Sequence, residues 1–99
     1  MTTRFLHETH RVNVKLMGGE EASAIAAAAC VDNPSATVED HGSYITISSE
    51  VRLDLNIKTI TEELGRPYDL PTLLVVLSSY TGQVDVGDDY LSIKEALAS

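Results

Sequence analysis

Residues 11–30, RVNVKLMGGEEASAIAAAAC, change their period in the middle, and that change decides the fold class. In the first part Val12, Val14 and Leu16 alternate with Asn13 and Lys15, the period-2 pattern of a strand with one dry and one wet face. Gly18-Gly19 breaks the strand. Glu20 and Glu21 then stand where a helix N-terminus favours negative charge. Ala22 through Cys30 follows as a helix, with Ala22, Ile25, Ala26 and Ala29 on one face. Those side chains are small, so the helix is expected to approach its sheet closely. Asn33-Pro34 ends it.

Outward from this β-α start, the alternation returns. Ala36 to Glu39 reads as a short strand, Asp40-His41-Gly42-Ser43 as a turn, and Tyr44 to Ser48 as a strand with Ile45 and Ile47 on one side. Val51, Leu53, Leu55 and Ile57 alternate with Arg52, Asp54, Asn56 and Lys58, which suggests the third strand of an antiparallel meander. Thr59 with Glu62 fits a capping box, and Ile60 with Leu64 gives the short helix an apolar side. Gly65 suits a left-handed C-cap and Pro67 blocks continuation. Asp69 can cap one further turn through Thr72. The unbroken apolar run Leu73 to Leu77 suggests a strand buried on both faces. Gln83 to Val86 and Tyr90 to Ile93 flank Gly87-Asp88-Asp89 as a hairpin, and Ser92 with Glu95 suggests a final short helix through Leu97. The expected order is β-α-β-β-β-α-β-β-β, an α+β fold without the strict alternation of a parallel sheet.

The chain has 99 residues, enough for one domain, expected over residues 11–99 behind a flexible N-terminal tail of residues 1–10. Its 15 acidic residues against 7 Lys and Arg give a formal charge of −8. That balance argues against nucleic acid, whose phosphates need clustered cations, and against anionic membranes. Trp is absent and Phe5 is the single Phe, so no aromatic stacking platform is evident. The N-terminus lacks the apolar core of a signal peptide, and the single Cys30 allows no internal disulfide. The expectation is a cytoplasmic protein.

Catalytic chemistry finds no constellation. His7-Glu8-Thr9-His10 has a His spacing of three where the zinc-protease motif needs four on a helix. Together with His41 or Cys30 it makes a metal site only on paper. Gly18-Gly19 is followed by two acids rather than by the Lys of a phosphate loop. Ser78 and Ser79 have no Gly-x-Ser-x-Gly frame. The acid pairs Glu20-Glu21, Glu62-Glu63 and Asp88-Asp89 stand at adjacent positions that point apart. From the residues alone three readings stay open: a protein that works by binding another, an acidic interaction module of unrelated partner, and a metal enzyme using His7, His10 and a third ligand.

One ordered set of motifs narrows this. Asp32-Asn33-Pro34, Val38-Glu39-Asp40 before the Tyr44 strand, Leu64-Gly65-Arg66-Pro67-Tyr68, and a segment ending in Ser78-Ser79-Tyr80-Thr81-Gly82 together resemble the coupling or effector proteins of soluble bacterial multicomponent diiron monooxygenases, of the methane, phenol, toluene and alkene type. The likeness runs from about Val12 to Ile93. It implies two small antiparallel sheets forming a corner filled by two or three helices. It implies a non-catalytic regulatory component without cofactors, which binds the hydroxylase component near its buried diiron centre. There it tunes oxygen activation, substrate access and the coupling of NADH use to hydrocarbon oxidation, while a separate reductase supplies electrons. Carried over residue by residue, the resemblance marks Asn33, Pro34, Arg66, Val76, Ser78, Ser79, Tyr80, Thr81 and Gly82 as hydroxylase-binding. Val76 stands where some relatives carry Asn, and Tyr80 where methane-type members carry Thr. At Tyr80 a bulky amphipathic anchor, of the kind favoured at interface centres, replaces a small polar group.

Overall fold

The computed structural model describes residues 12–95, so the tail expected over residues 1–10, with His7 and His10, lies outside the described residues. The order is β1 (Val12–Met17), α1 (Glu20–Asp32), β2 (Thr37–Asp40), β3 (Tyr44–Ser49), β4 (Arg52–Asn56), α2 (Ile57–Leu64), α3 (Leu70–Val76), β5 (Leu77–Thr81), β6 (Gln83–Val86) and β7 (Tyr90–Lys94). Two antiparallel sheets form, one ordered β2-β3-β1-β5 and the other β4-β7-β6. This is the expected α+β class.

The period-2 stretches bury the side chains that their alternation selects. Val12, Val14, Leu16 and Ile47 are fully buried from the first sheet, and Leu53, Leu91 and Ile93 from the second. α1 fills the space between with Ala22, Ile25, Ala28 and Ala29, while α2 contributes Ile60 and α3 contributes Leu73. Alanines let α1 come close, and each large aliphatic buried this way stabilises by about 1.5–3 kcal/mol.

Four expectations need correction. β4 is not the third strand of a meander: after β3 the chain turns a corner, and β4 pairs with β7 in the other sheet. The buried Ser49 hydroxyl donates to the Arg52 carbonyl at 2.8 Å across that corner, and Val51 is left exposed. Alternation specifies which face is dry, not which strand lies alongside. α2 starts at Ile57, with Asn56 as its cap accepting from Lys58 N–H at 3.1 Å, and not at a Thr59 box. Its C-terminus is as read, with Gly65 at φ 80° donating to the Thr61 carbonyl.

The apolar run is helix rather than strand. Asp69 caps α3 by accepting from Thr72 N–H at 3.0 Å, Pro71 fits the first turn, and the helix runs to Val76 with only Leu73 fully buried. Cap and proline together override the β-branched content. Finally, Ser92 lies inside β7 and is buried, so it caps no helix; residues 96–99 lie outside the described residues. Among the described residues no helix is long and apolar enough to cross a membrane.

Candidate partner interface

α3 and β5 form an arm with little cover. In α3 Val75 is 81% exposed and Leu74 46% exposed, and Tyr80 on β5 is 51% exposed. α3 has only seven residues and one buried anchor, so its outer side chains have no packing to retreat into. β5 sits at the edge of its sheet, with four of its five residues exposed. Its pairing with β1 places Tyr80 opposite Val14, Ser79 opposite Lys15 and Thr81 opposite Asn13. Cross-strand partners share a face. Tyr80 therefore lies on the core side of the sheet yet stays half exposed on the edge strand, and Ser79 and Thr81 lie on the outer side. A bulge lets Leu77 and Ser79 face consecutive β1 residues and leaves Ser78 without a counterpart.

The outer face of this sheet is polar and internally paired. Asn13 Nδ2 donates to Ser48 Oγ at 2.8 Å, Lys15 Nζ stands 4.5 Å over the Tyr44 ring, and His41 stacks on Tyr44 with centroids 4.5 Å apart.

At the root of the arm, Met17, Gly18, Gly19, Glu20, Glu21, Arg66 and Val76 line a cleft of about 400 Å³. It joins two of the expected residues, Arg66 and Val76. Arg66 Nη1 donates to Glu20 Oε2 at 3.2 Å in an exposed ion pair, which holds Arg66 only weakly. Beside it, Tyr68 and Asp69 line a second hollow with Arg66 and Thr72. Hydrogen bonds from the Thr72 side chain and backbone hold the Asp69 carboxyl below its usual range.

Asn33 and Pro34 are not brought to this arm. They follow the C-terminus of α1, whereas Glu20 and Arg66 mark its N-terminus, about 20 Å away at 1.5 Å per residue. Pro34 is exposed, but Asn33 is 8% exposed and its amide is committed inside the chain. It donates to the carbonyls of Ala29 and Asp54 at 2.8 Å each and accepts from Asp54 N–H at 2.9 Å. Asp54 in turn accepts from Ser92 at 2.6 Å and Arg52 at 2.9 Å. Burial pushes its carboxyl up, but these two hydrogen bonds and the Arg52 charge outweigh that and hold it below the usual range. Asn33 is a clamp between α1 and β4.

Leu74, Val75 and Met17 went unnoticed in the sequence. The Asp69–Pro71–Thr72 start signal, taken as continuing through the apolar run, would have shown that a helix of this length leaves some of those side chains facing out. Among the described residues no group of three His, Cys, Asp or Glu is placed to hold a metal ion.

The chain is 35% identical over 78 residues to the stimulatory component DmpM of phenol 2-monooxygenase from Pseudomonas sp. (strain CF600), covering 79% of this chain and 87% of that protein. Its fold matches a chain from the structure of a phenol hydroxylase–regulatory protein complex with a TM-score of 0.76 and 31% identity, over 84% of this chain and 95% of the other. The soluble methane monooxygenase regulatory protein B shares the fold at a TM-score of 0.66 and 23% identity, over 88% of this chain and 67% of that one. The MmoB/DmpM family matches residues 10–94, nearly the whole described domain and both ends of its core, and the chain belongs to that family.

Proposed function

We propose that this chain is the regulatory component of a multicomponent monooxygenase, that it binds the hydroxylase component through the α3–β5 arm, and that it performs no catalysis itself. Family membership supports the role, since the relatives are named stimulatory or regulatory components. The observation that carries the surface assignment is the arm itself. Leu74, Val75 and Tyr80 stand exposed on one continuous segment that also holds Val76, Ser78, Ser79, Thr81 and Gly82. Exposed apolar side chains grouped in this way mark interaction surfaces. Arg66, across the root cleft from Val76, adds a polar rim residue whose ion pair is easily exchanged. Asn33 acts from within, and Pro34 lies at the far end of α1.

An effector of this kind works by preferring one hydroxylase conformation. A differential affinity of about 1–3 kcal/mol shifts the balance roughly 5- to 150-fold. The protein works in the cytoplasm alongside the reductase, and its surface charge suits neither nucleic acid nor anionic membrane. The substrate pocket belongs to the hydroxylase, so this chain acts on turnover and coupling.

The test is substrate oxidation by the cognate hydroxylase and reductase, titrated with this protein. Product formed per NADH consumed is expected to rise and to saturate near one chain per active site. Unchanged rate and coupling, with all components folded and active, would remove the proposal.

A further inference from the structure

The backbone of β5 carries a feature that side-chain exposure does not reveal. Gly18 N–H donates to the Ser43 carbonyl at 2.9 Å, continuing the β1–β3 register one step past Met17 and Tyr44. In an antiparallel ladder hydrogen-bonded pairs alternate. The N–H and C=O of Leu16, Val14 and Val12 therefore turn toward β3, and those of Lys15 and Asn13 toward β5. Their partners Ser79 and Thr81 face β1 in return. The N–H and C=O of Tyr80 consequently point the other way, to the sheet edge, where no strand lies among the described residues.

That edge is short. The bulge at Ser78 breaks the alternation on one side of Tyr80. On the other, the chain leaves for the second sheet at Gly82, where φ is 130° and an added Cβ would meet the Lys94 carbonyl at 2.7 Å. One N–H/C=O pair in regular strand geometry remains, too little for an added strand. The opposite edge of the sheet, β2, is guarded by Glu39 and Asp40, whereas β5 carries no charge.

Resting on the hydroxylase-binding reading, we propose that Tyr80 is a contact through its backbone as well as its ring, and that a side-chain carboxamide of the hydroxylase, an Asn or Gln, fills its N–H/C=O pair. A carboxamide offers one acceptor and one donor side by side, matching this pair; a carboxylate only accepts, and Lys or Arg only donates. A carboxylate also meets a protein of net charge −8.

Two measurements test it. Tyr80→Ala and Tyr80→Pro remove the same ring, but only proline removes the N–H; edge positions tolerate proline. Both variants are expected to fold, and Tyr80→Pro is expected to bind the hydroxylase about tenfold more weakly than Tyr80→Ala. Equal affinities would overturn the proposal. Independently of any variant, amide exchange of the native protein, run in the hydroxylase complex and read by NMR after quench and release, is expected to slow at Tyr80 relative to the free protein. A Tyr80 amide that stays fast in a formed complex overturns the backbone contact and leaves the function standing. Absence of any complex overturns both. A structure of the complex with a main-chain amide opposite Tyr80 overturns the carboxamide.

Discussion

The two ends of α1 lead to opposite kinds of surface. At its C-terminus, Asn33, Asp54, Ser92 and Arg52 satisfy one another in a chain of hydrogen bonds that ties α1 to β4 and, through it, to the central strand β7 of the second sheet. At its N-terminus, the cleft of Met17, Arg66 and Val76 opens onto an arm whose Leu74, Val75 and Tyr80 touch solvent. The first end is complete within the chain; the second leaves apolar side chains in solvent and is the one proposed to meet the hydroxylase. Stability and binding are therefore expected to respond to different substitutions.

The largest effect is expected at the complete end. Asn33→Ala removes three hydrogen bonds and leaves the Asp54 N–H without its acceptor, a loss of about 3 kcal/mol in urea unfolding. Affinity of the folded fraction for the hydroxylase is expected to stay unchanged. A stability loss below about 1 kcal/mol would mean that Asn33 is no clamp, and the contrast between the two ends would blur.

At the open end the pattern reverses. Tyr80→Ala is expected to leave stability within about 0.5 kcal/mol and to weaken hydroxylase binding by about 2 kcal/mol, measured as a dissociation constant. If the dissociation constant does not move, Tyr80 is no part of the interface. Val75→Ser sharpens the boundary, because Val75 is 81% exposed and has almost nothing to lose in the free protein. A binding loss of about 1 kcal/mol with unchanged stability would extend the interface from β5 into α3. Wild-type affinity would confine the interface to the strand.

The contrast also explains which features the sequence revealed. Val12, Val14 and Leu16 announce β1 because one face of the strand is dry and the other wet, and Asp69 announces its helix because an N-cap is a local bond. The sheet switch at Ser49–Arg52 is silent, since the alternation of Leu53 and Leu55 is equally satisfied beside β3 or β7. Leu73 to Leu77 misled for a physical reason: an apolar run reads as buried throughout, yet here Leu73 is buried, Val76 and Leu77 are half-buried, and Leu74 and Val75 face outward. Asn33 could be recognised as a helix terminator, but its reach to Asp54, 21 residues on, depends on tertiary placement. The Ser78–Gly82 segment is singled out only by family resemblance, because nothing in Leu-Ser-Ser-Tyr-Thr distinguishes a binding edge from an ordinary strand end.

Tyr68 lies beside the open end, in the hollow it lines with Arg66 and Asp69, and its effect is expected to be the smallest near neutral pH. Its ring packs against the core, while its hydroxyl is buried without a hydrogen-bond partner among the described residues. Burial first, then the charges of Glu21 and Asp69, push its phenol up from 10.0 to about 12. A phenol harder to ionise when folded contributes stability that is fully present below its unfolded pKa and lost as pH rises through the folded one. Wild-type stability should therefore fall between pH 10.0 and about 12 from this group, and Tyr68→Phe should abolish that part of the fall. At pH 7 the same variant should lie within about 0.5 kcal/mol of wild type, because the hydroxyl it removes has no bond to lose. A loss of more than about 1 kcal/mol at pH 7 would show that the hydroxyl is satisfied in solution. The arm would then be rooted in a polar contact of its own, and the open end would be less incomplete than its geometry indicates.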